Sequence, residues 1–376
     1  MDFSLSSEQQ MIQDSVSKFI RSDYDFDTRR KILASAAGYS QKNWQLFAEL
    51  GWLMLPFSED NDGLSGSMAD LALVMEEFGK GIVVEPFIAT AVMAGGLIAL
   101  TGNQQQKDEY LPKIMAGELQ MAFAYAEPQS RYHLNNVKCS ATEKNGEKGE
   151  FVLNGHKSVV LNGNHAETLV VAARTSGDTS DNNGISLFLV DANHASVKRE
   201  GYANVDGHQA ADIWFDNTPT LGLLGEQDHA LPAINTIIDK ATLAICAEAV
   251  GAMQIAHERT LEYAKTRKQF GRTIGSFQAL QHRMVNMFIE HQQAKSILLM
   301  AVLKMDSNDG IDAKALSAAK SRIGKAANLV GRESIQIHGG IGMTDELDVG
   351  HIFKRLTTIQ NLFGSTDLHT KRFASL

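Results

Sequence analysis

The chain has 376 residues, 44% of them hydrophobic and 21% charged, with a formal net charge of −9. That length buries a large core and calls for two or three structural units of ordinary soluble composition. The acidic balance argues against nucleic acid as the main partner, so any anionic ligand must be met by local cations. No stretch reaches the roughly 18–20 apolar residues of a membrane span. Cys139 and Cys246 are far apart and have no CxxC spacing, which fits a reducing compartment without disulfides. The histidines lack metal-ligand spacing, and the N-terminus, Met1-Asp2-Phe3-Ser4, is no signal peptide. The cytoplasm is the expected location.

Residues 1–120 read as a helical domain. Ser6 and Gln9 have the spacing of a capping box, and Ile12, Val16, Phe19 and Ile20 form an apolar stripe. Residues 43–53 and 68–78 carry further helical patterns, joined by a loop at 56–66 rich in turn formers. Glu85-Pro86-Phe87 leads into another apolar helix through Leu100. The period changes near Gln120. Residues 150–163 hold two strand-like runs around Asn154-Gly155, which predicts a hairpin. Residues 169–173 and 185–190 continue the strand pattern, so 121–228 reads as a compact β-barrel unit.

From 229 to 376 the chain is helical again. Ala249, Met253, Ala256, Thr260 and Ala264 step by three and four, as one helix face requires. Leu280, Met284, Met287, Ala294, Leu298, Ala301 and Met305 do the same, and His291 on that stripe reads as a satisfied core histidine. Leu316, Ala319, Ile323, Ala326 and Val330 mark a third helix that stops at Gly339-Gly340. Asp345 and Glu346 are expected to open a fourth, where carboxylates suit the helix dipole, and Gly364 interrupts the last segment. Between the first two of these helices stands Arg267-Lys268-Gln269-Phe270-Gly271-Arg272, with Phe277-Gln278 beyond it. A cation, an aromatic ring, a glycine and an amide at a helix-to-helix turn suit one end of a large, flat, anionic ligand. In an arbitrary protein the same stretch is a solvated basic turn.

The stretch resembles a signature of the acyl-CoA dehydrogenase family, and Gln336-Ile337-His338-Gly339-Gly340-Ile341-Gly342 resembles a second one at the right distance. The resemblance implies an α+β multidomain fold: an N-terminal α domain, a β-barrel and a C-terminal four-helix bundle. It implies FAD as cofactor, an acyl-CoA thioester as substrate and electron-transfer flavoprotein as redox partner. In the family a glutamate takes the α-proton and the flavin takes the β-hydride. The positions matched by Arg267, Phe270 and Gln278 reach the ADP half of FAD on a neighbouring subunit, and those matched by Gln336, Gly339 and Gly340 let the backbone approach the cofactor. Ser365 stands where the Gly-Thr after the usual base contributes to the cofactor site.

The catalytic half departs from the family pattern. The usual base stands before a Gly-Thr; here the run is Leu362-Phe363-Gly364-Ser365, so Phe363 holds that place. The alternative base, in the long helix, falls on Ala241. The Thr-Glu-Pro-Gly-x-Gly-Ser-Asp run reads Ala126-Glu127-Pro128-Gln129-Ser130-Arg131-Tyr132-His133, and a second flavin-contacting threonine is Leu161. A kept nucleotide grip beside a lost base resembles the small, non-catalytic subunits of heteromeric family members acting on pimeloyl-CoA-type or steroid side-chain CoA esters. The implied partner is a homologous catalytic subunit in a heterotetramer. Two alternatives stay open: a self-sufficient homo-oligomer with a relocated base at Asp367 or Asp239, and a scaffold of the same fold without turnover. Lys354-Arg355 and Lys371-Arg372 read as solvated helix faces that could also meet CoA phosphates.

Overall fold

Helices begin here where a side chain satisfies the first free N–H groups. In the computed structural model, which describes residues 4–144, 149–307 and 312–376, Ser6 Oγ accepts the Gln9 N–H and the Gln9 amide returns to the Ser6 N–H. The expected capping box is therefore present. Residues 1–3 of the N-terminal reading lie outside the described residues. Six helices come first: α1 (Ser7–Asp23), α2 (Phe26–Leu33), α3 (Gln41–Glu49), α4 (Met68–Gly81), α5 (Gly96–Thr101) and α6 (Gln104–Met115). Eight strands follow: β1 (Met121–Ala124), β2 (Ser140–Glu143), β3 (Phe151–Leu161), β4 (Thr168–Arg174), β5 (Ile185–Asp191), β6 (Val197–Ala203), β7 (Gln209–Pro219) and β8 (Gly222–Leu224). The remainder is helical apart from a small hairpin: α7 (Leu231–Thr266), β9 (Lys268–Gln269), β10 (Arg272–Thr273), α8 (Gln278–Ser307), α9 (Ala313–His338), α10 (Asp348–Asn361) and α11 (Thr366–Ser375). Among the described residues no helix is long and apolar enough to cross a membrane.

The chain divides into two compact units. One is made of Ile32–Gly66 and Val84–Ala241. Its centre is a sheet in the order β6-β7-β3-β2-β4-β5-β8, with β1 parallel to β4. Leu153, Leu169, Val171, Phe188 and Ile213 close its core. The apolar segment after Pro86 begins as a π-helix over Ile88–Gly95 before tightening into α5. Small residues let that segment lie close to its neighbours, since a Cβ on Gly96 would come within 2.8 Å of Ile237 Cδ1.

The predicted hairpin at Asn154-Gly155 does not form. β3 runs unbroken from Phe151 to Leu161 and pairs with β7 through register shifts at Leu153/Gly155 and Lys157/Val160. The Asn-Gly pair makes a bulge instead of a turn. Gly155 has φ +151°, and a Cβ there would stand 2.6 Å from the Cys139 Cα. Close approach of two strands, not chain reversal, is what the glycine supplies.

The other unit is made of Met1–Lys31, Ser67–Val83 and Thr242–Leu376. Met284, Met287, Ala294, Leu298, Ala301 and Met305 all face its interior, as their spacing predicts. α9 packs against α8, α10 and α11. α4 and α7 cross at backbone distance, since a Cβ on Gly251 would sit 1.8 Å from the Glu76 carbonyl oxygen. Three charged side chains are locked in the interior. Arg355 grips Glu248 in a bidentate pair, Nε to Oε1 at 2.5 Å and Nη2 to Oε2 at 2.6 Å, and the Lys320 ammonium donates to the Ile359 carbonyl. Burial brings the Lys320 pKa down to about 8.

This corrects three expectations. Arg355 is 4% exposed and belongs to the core, not to a solvated face. α10 opens at Asp348, not at Asp345, whose carboxylate instead accepts from Lys354 at 3.3 Å. His291 is a core residue, but its Nε2 is buried without a hydrogen-bond partner.

Candidate functional site

α7 ends at Thr266, and the chain reverses through β9 and β10. The two residues at the tip, Phe270 (φ 52°) and Gly271 (φ 78°), are both left-handed, as a tight two-residue hairpin loop demands. Glycine takes that conformation freely. A phenylalanine there is strained, by about 1–2 kcal/mol. Its ring gains nothing from burial, being 90% exposed. The hairpin thus holds an aromatic ring out into solvent at a conformational cost. Phe277 lies edge-on to it at 6.2 Å, and the Arg272 guanidinium stacks over Phe277 at 4.1 Å. Arg267 and Gln278 are exposed on either side of the hairpin, at the end of α7 and the start of α8.

The glycine motif arrives at the same end of the bundle. Gln336 is exposed in the last turn of α9, and Gly339 ends the helix with φ +65°. Nothing lies within 4 Å of where a Cβ on Gly339 or Gly340 would stand, so that backbone is open to a ligand. The link between the two motifs is Tyr263, which sequence reasoning missed. Its carbonyl accepts the Arg267 N–H at 2.8 Å, its hydroxyl reaches the His338 carbonyl at 3.4 Å, and its ring stacks on the His338 imidazole at 4.4 Å. His338 Nδ1 faces the Ser334 carbonyl at 2.8 Å, and a carbonyl can only accept, so Nδ1 carries the proton. Burial lowers the His338 pKa. Two segments far apart in sequence are thereby brought to one surface: cations from Arg267 and Arg272, the Phe270 ring, the amides of Gln278 and Gln336, and open backbone at Gly339-Gly340. This donor set fits a nucleotide pyrophosphate and its base.

Phe363 is buried in the same unit, at φ 56°, and its carbonyl accepts from His369 Nε2 at 3.1 Å. A benzyl group cannot accept a proton. The Ser365 hydroxyl accepts the Leu368 N–H at 3.2 Å and so caps α11. Asp367 follows in the first turn of α11, exposed, where the helix dipole favours a carboxylate.

In the sheet-containing unit, Ala241 is fully buried on α7, and Asp239 is buried two residues before it. Two residues along a helix are about 200° apart, so Asp239 faces nearly away from the direction of Ala241. Ala126 and Leu161 bring a methyl and an isobutyl group to the positions where the resemblance leads one to expect threonine hydroxyls. The backbone around them is well tied down. The Ala126 carbonyl accepts the Ser158 N–H at 2.9 Å. The neighbouring Glu127 carboxylate takes bonds from Lys157 at 2.6 Å, Lys138 N–H at 2.8 Å and Cys139 N–H at 3.0 Å. Burial alone would raise the Glu127 pKa; the Lys157 ammonium and these donors bring it below the usual carboxylate value. Val159, a β-branched residue, is held left-handed (φ 52°) while its N–H donates to Asp212 at 3.0 Å. The exposed groups at the end of the bundle thus have the donors a nucleotide needs, and the Ala126 and Leu161 side chains carry no hydrogen-bonding group.

Comparison with known proteins gives one answer along the whole chain. Residues 6–118, 122–218 and 231–375 match the models of the N-terminal, middle and C-terminal domains of acyl-CoA dehydrogenase. A probable acyl-CoA dehydrogenase, YngJ of Bacillus subtilis (strain 168), is 28% identical over 361 residues, covering 94% of this chain and 93% of that protein. Among solved structures, PigA with FAD and proline superposes with a TM-score of 0.90 at 26% identity, covering 100% of this chain and 98% of that one. The Tcur3481-Tcur3483 steroid ACAD superposes with a TM-score of 0.87 at 25% identity, covering 99% and 98%.

Proposed function

The chain belongs to the acyl-CoA dehydrogenase family, and from that premise we propose that it is one subunit of a heteromeric enzyme. The family's reaction is the α,β-dehydrogenation of an acyl-CoA thioester, an oxidation at a CH–CH bond. FAD is the cofactor, and when bound it supplies the acceptor for the hydride. This chain's part is to hold the ADP half of an FAD whose flavin end lies in a homologous partner. Arg267 and Arg272 meet the pyrophosphate charge, Phe270 offers its ring to the adenosine, and Gln278 and Gln336 donate amide hydrogens. Gly339 and Gly340 keep the approach clear, and Ser365 is assigned to the cofactor site by the resemblance alone. The partner brings the glutamate base; electrons leave to an electron-transfer flavoprotein.

One observation carries this reading: the base position is a buried benzyl group, Phe363, and the alternative position is the buried methyl of Ala241. Neither of these two positions carries a carboxylate that could take a proton, while the side chains suited to a nucleotide are exposed at one end of the bundle. The steroid ACAD bears a double name, Tcur3481-Tcur3483, which agrees with a two-chain enzyme. Neither relocated base gains support from its placement, since Asp367 begins a helix in solvent and Asp239 faces away from the direction of Ala241.

The test is an acyl-CoA dehydrogenation assay on the isolated chain with an artificial electron acceptor. No turnover is expected with any acyl-CoA. Robust turnover by a homo-oligomer would reject the subunit assignment.

A further inference from the structure

Arg259, Tyr263 and Arg267 are spaced four apart and so fall in one row along the end of α7. Each meets a different group. Arg267 is exposed beside the hairpin, with its N–H donating to the Tyr263 carbonyl at 2.8 Å. The Tyr263 ring stacks on the His338 imidazole, centroids 4.4 Å apart and planes 26° apart, and its hydroxyl donates to the His338 carbonyl at 3.4 Å. Arg259 Nε donates to Asp348 Oδ2 at 2.9 Å. His338 is the last residue of α9, and Asp348 is the first of α10. Residues 339–347, which carry Gly339-Gly340, run between these two points. One face of α7 thus holds both ends of the glycine loop and also presents Arg267.

The loop has little of its own to hold its shape. Two glycines lead it, and most of its residues are exposed. Within it, the Thr344 N–H and hydroxyl both turn back to the Ile341 carbonyl, at 3.2 and 2.8 Å. Its ends are better fixed. The His338 ring is 6% exposed and cannot turn freely, because Nδ1 donates to the Ser334 carbonyl at 2.8 Å. The loop backbone also folds close over α10, where a Cβ on Gly350 would stand 3.1 Å from the Gly342 carbonyl oxygen. A flexible backbone binds a ligand well only if its ordering is accomplished beforehand. We propose that Tyr263 and Arg259 are positioning residues, a two-point clamp that sets the glycine loop in the shape that receives the nucleotide and at a fixed distance from Arg267. The proposal rests on the reading of this surface as the seat of the ADP half of FAD. Neither side chain need touch the cofactor; both act through the loop.

The experiment has two readouts: amide hydrogen exchange of residues 339–347 in the full chain, and FAD retention by the complex with its homologous partner. Tyr263→Leu is expected to speed exchange in the loop about three- to ten-fold and to weaken FAD retention by a similar factor, the worth of one aromatic pair. Tyr263→Phe keeps the stack and is expected to bring both readouts back to within about two-fold of wild type. Arg259→Ala removes a more exposed ion pair and is expected to speed exchange near Asp348 about two-fold. Exchange within α8 is expected to stay at the wild-type rate in all three variants; a matching acceleration there would make Tyr263 an ordinary packing residue and overturn the proposal. Unchanged loop exchange in Tyr263→Leu or in Arg259→Ala would overturn it too. So would a loosened loop that keeps its flavin while Arg267→Ala loses it, an outcome that leaves the cofactor reading standing. Flavin kept by both Arg267→Ala and Tyr263→Leu would remove the cofactor reading and the proposal with it.

Discussion

Phe363 sits left-handed, with its carbonyl tied to His369 and its ring in the interior. A benzyl group cannot take a proton, which is why the base is assigned to another chain. The gripping residues make the complementary prediction. Arg267→Ala removes a charge-assisted donor worth about 1.5–3 kcal/mol, so FAD retention by the complex should weaken roughly ten- to a hundred-fold. Flavin content equal to wild type after dialysis would contradict the assigned role. His291 gives a test independent of the cofactor. Burial, aided by Lys295 and His257, lowers its pKa from 6.5 to about 4. The unfolded chain therefore binds a proton that the folded chain refuses. Stability is full above about pH 6.5 and falls as pH drops toward 4, by about 3 kcal/mol in all. Denaturant titrations at pH 7 and pH 5 should show about 2 kcal/mol of that loss, and His291→Leu should remove much of it; an identical pH dependence in the variant would disprove it. At this scale the sequence was partly legible. Arg267, Phe270 and Gln278 stand close together in the chain and could be read as a group. The Tyr263–His338 stack and the Glu248–Arg355 pair join residues on different helices, so nothing local announced them.

Among the elements, long amphipathic helices were readable because the 3.6-residue period repeats over many turns. Caps were readable where a serine and an amide stand three apart. β3 was not, because Asn-Gly serves a bulge as well as a turn and only the neighbouring strand decides between them. At Gly155 a methyl would collide with the Cys139 backbone at 2.6 Å. Gly155→Ala is therefore expected to cost roughly 2–4 kcal/mol by urea denaturation, and a cost below about 0.5 kcal/mol would mean the strands are free to part. The hairpin tip makes the opposite prediction. Phe270→Gly relieves a left-handed phenylalanine and should hold or raise stability by about 1 kcal/mol while lowering flavin retention. A gain in stability with no loss of flavin would show that the exposed ring has no cofactor to meet.

For the whole molecule, the order of helices, strands and helices follows from where the hydrophobic period changes, near Gln120 and again after Leu224. What no periodicity reveals is the company the chain keeps. That has to be read from groups that serve nothing within the chain itself. They are a ring held out at a tight turn and two glycines open to solvent. If this chain contributes one half of a cofactor site and its partner the other, the two together form one complete site, not two. The direct measurement is the ratio of FAD to protein in the complex co-purified with a glutamate-bearing homologue. The account expects yellow protein with one FAD for each pair of unlike chains; two FAD for each pair would contradict it.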